Sequence, residues 1–165
     1  MIIKAVIQIN APRQKVWEVF ADIENWKTWN PVCRECRFEA GKALVKGTCI
    51  SFELNPLVFS MRIAPKVTHC SPGEKVVWEG SRLGIHAVHE FYFAEKSGGV
   101  ELVSIETFSG PLLVVARMIG VPSRLHALTV RLLDAIRQAA ESSDTEAQYL
   151  KNTGDILPSA SGLGP

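Results

Sequence analysis

The sequence predicts an α+β domain. Its parts are a curved antiparallel sheet of about seven strands, two short helices after the first strand, and one long C-terminal helix lying against the sheet. Three observations carry this. Apolar residues alternate with period two in short segments between residues 2 and 109, and clusters of Gly, Pro, Asn and Ser separate those segments. A sustained apolar stripe of helical period appears only near the C-terminal end. Tight turns between consecutive strands favour an antiparallel meander, because parallel strands need crossover connections of about a dozen residues or more.

Residues 2–9 alternate, with Ile3, Ala5, Ile7 and Ile9 on one face and Lys4, Gln8 and Asn10 mostly on the other, which is a half-buried strand. Asn10 and Pro12 mark a helix start, Asn10 as a capping side chain and Pro12 in the first turn. Val16, Phe20 and Ile23 follow at helical spacing, flanked by Trp17 and Val19. The run from Trp26 to Pro31 closes this helical region, because Pro31 pushes Asn30 out of the helical well. Strands are expected near 34–40, 47–55, 58–69, 75–82, 85–95 and 100–109. The turns between them fall at Gly41-Lys42, Asn55-Pro56, Ser71-Pro72-Gly73 and Lys96-Ser97-Gly98-Gly99. Gly110-Pro111 stops the last strand, and 112–119 reads as a short helix that either packs or gates. Ser123 then caps a helix to about Glu141, with its stripe at Leu125, Leu128, Leu132, Ala135, Ile136 and Ala139. From 142 the chain turns to Ser, Asp, Thr, Asn, Gly and Pro, so the domain is expected at 1–141 and a flexible tail at 142–165.

Of the 165 residues 47% are hydrophobic, which excludes disorder for most of the chain. Eighteen Lys+Arg against 17 Asp+Glu leave a net charge of +1, without the concentrated basic surface that nucleic acid requires. No apolar run approaches the roughly 20 residues that span a bilayer, so no stable membrane insertion is expected. The first residues lack the pattern of a signal peptide, and a cytoplasmic protein is the expectation. Cys33 and Cys36 have C-x-x-C spacing, yet Cys49 and Cys70 form no second close pair and the segment runs into a strand. Reduced thiols, no metal and no cofactor are expected.

A sheet wrapped on one helix leaves a concave apolar space between them, and its polar members are the candidate site. If the last hairpin turns at Ser97-Gly98, His89 stands directly opposite Glu106, and Phe91, Phe93, Leu102 and Phe108 share that face. A turn at Gly98-Gly99 makes the pair diagonal on the same face, and an odd-length loop separates it. Such a pair could move protons, hydrogen-bond a ligand, or simply satisfy itself. Trp29, Phe52, Met61, Trp78, Phe91 and Phe108 are candidates to line the space, or else plain core. His86, three residues before His89, points to the opposite face, so a two-histidine metal site is not expected.

Four local patterns in this order resemble a known family. They are Ile9-Asn10-Ala11-Pro12 followed by Val16-Trp17-Glu18-Val19-Phe20-Ala21-Asp22; Trp29-Asn30-Pro31; and Pro65 and Val67 followed by Val77-Trp78-Glu79-Gly80. The last is His89-Glu90-Phe91-Tyr92-Phe93, then Gly98-Gly99 and Glu106-Thr107-Phe108-Ser109-Gly110. Over residues 2 to about 141 the chain resembles the SRPBCC superfamily, the START-like or Bet v 1-like helix-grip proteins, and within it the polyketide cyclase/dehydrase-like group. The resemblance implies a helix-grip fold, and its members include cyclases, dehydrases, hormone receptors and lipid carriers. The function expected first is sequestration or transport of an apolar or aromatic small molecule by a monomer or homodimer. The alternatives are a cyclase/dehydratase using His89 and Glu106 without metal, and a protein-interaction module docking through its tail.

Overall fold

The computed structural model describes residues 1–54, 61–113 and 120–154 and, within these, the side chains of all but Leu54, Met61 and 143–154. Strand β1 (Ile2–Ile9) buries Ile3, Ala5 and Ile9 and exposes Lys4, Val6 and Gln8, as its alternation requires. Helix α1 (Arg13–Ala21) starts after Pro12, without a side-chain cap. Asn10 is therefore not the cap expected of it. Its backbone N–H donates instead to Glu141 Oε1 of the C-terminal helix at 2.9 Å, joining the two ends of the domain. A 3-10 turn (Ile23–Asn25) and α2 (Trp26–Trp29) complete the helical region before β2 (Cys33–Ala40).

The remaining strands are β3 (Cys49–Leu54), β4 (Met61–Ile63), β5 (Lys66–Ser71), β6 (Lys75–Arg82), β7 (Ile85–Lys96) and β8 (Gly99–Ser109). Seven of the eight lie in the order β1-β8-β7-β6-β5-β3-β2, and the short β4 pairs with β3. The pairings are antiparallel throughout. The strand expected at 58–69 is divided because Pro65, which has no N–H, interrupts the ladder; its carbonyl still accepts the Ile50 N–H at 3.0 Å. Residues 58–60 of that strand, and the Asn55-Pro56 turn before it, lie outside the described residues. Gly99 needs its absent Cβ: φ is 155°, and an added carbon would collide with the Ile9 carbonyl oxygen.

Helix α3 runs from Val121 to Gly154. It begins before Ser123 because Pro122 fits a first turn, and it continues past Glu141 because no Gly or Pro occurs between Ser123 and Thr153. The helix expected to end near Glu141 thus runs on to Gly154; residues 155–165 lie outside the described residues. Of the segment 112–119, Leu112 and Leu113 are described and the rest is not. Leu132, Leu133, Ile136 and Ala140 of α3 are buried against the concave face of the sheet.

Register divides that face into rows. Phe93 stands opposite Leu102, and Phe91 opposite Ser104 and Val76. His89 then stands between Trp78 and Glu106, and Ala87 between Gly80 and Phe108. Phe20 of α1, fully buried, fills the first half, with ring centroids 4.9 Å from Phe91 and 5.1 Å from Phe93. Burying such a ring is worth about 1.5–3 kcal/mol. The other half, where Gly80 and Ala87 are small, is left open.

Cys33 and Cys36 form a disulfide, their Cα atoms 6.5 Å apart, while Cys49 and Cys70 are free. This corrects the expectation of four reduced thiols. Residues three apart on a regular strand face opposite ways, but an irregularity between Cys33 and Glu35 turns both cysteines inward, where each is buried.

Candidate ligand-binding site

The open half of the concave face is a cavity of about 750 Å³ between the sheet and α3. Trp26, Phe52 and Trp78 line its inner end and contact one another or Phe20 behind them, at centroid separations of 5.5–5.8 Å. Ala87 and Phe108 form the floor, and Leu125, Leu128 and Leu132 of α3 form the roof. At the rim the Arg82 guanidinium, on the cavity face of β6, donates to the Arg62 carbonyl oxygen. Leu83, exposed in the turn between β6 and β7, also borders the rim.

His89 and Glu106 supply polarity within this wall. The β7–β8 hairpin pairs Lys96 with Gly99, so the turn is Ser97-Gly98 and His89 stands directly opposite Glu106. Their side chains are 12% and 18% exposed, with Nδ1 3.9 Å from Oε1. The imidazole stacks on Phe91 at 4.1 Å and meets Trp78 edge-on at 5.7 Å. Its Nε2 lies 2.7 Å from the hydroxyl of Ser104, a serine with no exposed surface. That bond governs which ring nitrogen carries the proton and leaves Nδ1 as the edge nearest Glu106.

In water a histidine and a glutamate would both be charged near pH 5.5. Burial reverses this here. Loss of solvation pushes the His89 imidazole down to about 3 and the Glu106 carboxyl up to about 7. Between those values both groups are neutral, so the site offers hydrogen-bond donors and acceptors without net charge. Glu106 exchanges its proton near neutral pH.

Phe52, Trp78, His89, Glu106 and Phe108 line the cavity wall. Phe91 is not a wall residue; it is fully buried behind His89, packed on Phe20. Nor is Trp29, which lies partly buried against the core 6.0 Å from Trp26. Trp26 takes the place expected of it, because the 3-10 turn shifts the phase of the stripe by which Phe20 and Ile23 face inward. The side chain of Met61 lies outside the described residues. The polar wall residues that were not anticipated are Asn30, Arg62, Ser81, Arg82 and Thr129. Thr129 is satisfied, donating to the Leu125 carbonyl at 3.0 Å. His86 points to the outer face, 3.0 Å from the Ser81 hydroxyl and 3.6 Å from Glu79. Among the described residues no group of three or more His, Cys, Asp or Glu side chains could hold a metal ion, and no helix is long and apolar enough to cross a membrane.

Solved structures with this architecture include a protein from Thermus thermophilus, TTHA0849. It has a TM-score of 0.74 and 13% identity over 87% of this chain and 99% of that one. The Zhui aromatase/cyclase from Streptomyces sp. R1128 follows at TM-score 0.70 and 14% identity, over 86% of this chain and 93% of that one. The di-domain aromatase/cyclase StfQ from the steffimycin biosynthetic pathway matches at TM-score 0.71 and 12% identity over 87% of this chain, which spans 51% of that protein. Identities this low show a shared fold. No curated protein matches by sequence. The family model described as polyketide cyclase/dehydrase and lipid transport matches residues 2–141, and the chain belongs to that family.

Proposed function

We propose that the protein binds an apolar or aromatic small molecule between sheet and helix and sequesters or carries it. The observation that carries this reading is the cavity itself. Its volume of about 750 Å³ falls within the usual ligand-site range of about 300–1,000 Å³, its inner end is aromatic, and its wall is mostly apolar with His89 and Glu106 side by side in it. Membership of a family that includes lipid transport supports the same reading. Native mass spectrometry of the gently purified protein, with titration by 2-acetylnaphthalene and 2-ethylnaphthalene, tests it. One bound molecule per chain is expected. No co-purifying ligand and no binding of either naphthalene would refute the reading.

A second reading is favoured by one observation. Glu106, protonated up to about pH 7 beside a neutral His89, is suited to give and take a proton in a cyclisation or dehydration. On that reading Glu106→Gln lowers turnover of a poly-β-ketone substrate by about 10²–10⁴ while binding persists. Equal loss of binding and turnover would reduce the pair to recognition.

A further inference from the structure

We propose that the bound molecule is an apolar anion, its carboxylate held at the cavity mouth by Arg82 and its body lying inward over Gly80 and Ala87. This rests on the cavity reading above and adds to it the chemical class of the ligand and the direction in which it lies.

The alternation of β6 aims Arg82 at the cavity. Trp78, Gly80 and Arg82 stand two residues apart on one face of the strand, and all three line the space. Register sets Trp78 beside His89, Gly80 beside Ala87 and Arg82 beside Ile85. At about 3.3 Å per residue, the Arg82 row stands about 13 Å from the His89 row, with the small Gly80 and Ala87 between them. Arg82 is exposed, so its guanidinium is within reach of a molecule entering from solvent.

That cation meets no carboxylate of the protein's own. It donates to the Arg62 carbonyl oxygen, a neutral acceptor, and none of the ion pairs among the described residues includes it. A guanidinium carries several N–H donors in a planar fork that matches a carboxylate, so one bond to a carbonyl leaves an edge for an anion. Arg62, also at the rim, is placed differently. It stands opposite Glu53 in the β3–β4 ladder. Hydrogen bonds from Arg37 and Ser51 chiefly hold the Glu39 carboxyl below its usual range, and the Arg62 charge adds to them. Glu106 is the one carboxyl among the described residues that line the cavity, and burial keeps it protonated up to about 7. The segments 55–60 and 114–119 contain no Asp or Glu.

The wall also decides which end of the molecule faces out. A carboxylate at the inner end would lose its hydration among Trp26, Phe52 and Trp78, with no cation there to answer it. At the mouth it keeps part of its water and meets Arg82. An apolar body then occupies the space that Gly80 and Ala87 leave, and reaches toward His89 and Glu106.

The test compares 2-naphthylacetate with 2-naphthylacetamide, which share a ring and differ in charge, by calorimetry on wild-type protein and Arg82→Gln at about pH 6, where Glu106 keeps its proton. Glutamine can still donate to the Arg62 carbonyl but carries no charge. The substitution should weaken acetate binding about three- to tenfold and leave the acetamide unchanged. Equal weakening of both probes, or no weakening of either, would overturn the inference. A second measurement needs no variant: on wild-type protein, acetate binding should weaken as salt rises from about 0.02 to about 0.5 M while acetamide binding does not. Acetate binding indifferent to salt would likewise overturn it. Should 2-acetylnaphthalene bind the wild type and the acetate not, this inference falls and the cavity reading stands. If none of the three binds, both fall.

Discussion

Glu106→Gln isolates the cost of keeping a carboxyl in the cavity wall, and the sign of its pH dependence follows from the direction of the shift. Folding raises the Glu106 carboxyl from 4.5 to about 7, so between those values the native state keeps a proton that the unfolded chain has lost. Its contribution to stability is fully present below pH 4.5 and is lost as pH rises toward 7, about 1.4 kcal/mol per pH unit and about 3 kcal/mol in all. His89 runs the other way. Folding lowers its imidazole from 6.5 to about 3, so its contribution of about 5 kcal/mol is present above pH 6.5 and lost as pH falls toward 3. From pH 4.5 to 6.5 the two slopes oppose each other, and the wild-type stability curve should be nearly flat there. Glutamine cannot titrate, so the variant should keep gaining stability through that interval. The quantity to measure is the change in unfolding free energy, variant minus wild type, at pH 8 and again at pH 4. Constant packing differences cancel between the two, leaving about 3 kcal/mol in the variant's favour at the higher pH. Both groups keep some exposure toward the cavity, 12% and 18%, so water entering it makes these upper values. Urea unfolding followed by tryptophan fluorescence supplies the curves. Parallel curves for the two proteins between pH 4 and 8 would show that Glu106 titrates equally in the folded and unfolded states, and the argument from burial would be wrong.

Removing the buried hydroxyl in Ser104→Ala should cost about 1 kcal/mol and alter the ring ¹⁵N shifts of His89, because its Nε2 loses its 2.7 Å partner. Unchanged shifts would show that another group sets the tautomer. Ala87→Leu should fill the floor of the cavity between Gly80 and Phe108, abolishing naphthalene binding while the thermal midpoint holds or rises. A large fall in the midpoint would mean that the floor is already closely packed.

What could be read ahead of the structure follows the range of the interactions involved. The His89–Glu106 pairing depends on one hairpin, and the glycines in Lys96-Ser97-Gly98-Gly99 fix its turn, so local chemistry sufficed to bring the two residues together. The exchange of Trp29 for Trp26 depends on a 3-10 turn that resets the helical phase, and both tryptophans stood at plausible spacing. The inward turn of both cysteines depends on an irregularity in β2 that no residue between them announces. Helix α3 outruns its apolar stripe because polar composition alone does not end a helix, and none of its residues between Ser123 and Thr153 is Gly or Pro.

The cavity has the least visible origin. Large residues attract notice in a sequence, and nearly all the aromatics singled out are walls or core. The space itself comes from Gly80 and Ala87, which share a row only once β6 is registered against β7, under the stretch of α3 that carries Leu125, Leu128 and Leu132. The sizes and turn residues of a chain can therefore place a fold and its polar pair. The shape that decides what is bound comes from small side chains, whose meaning depends on neighbours distant in sequence.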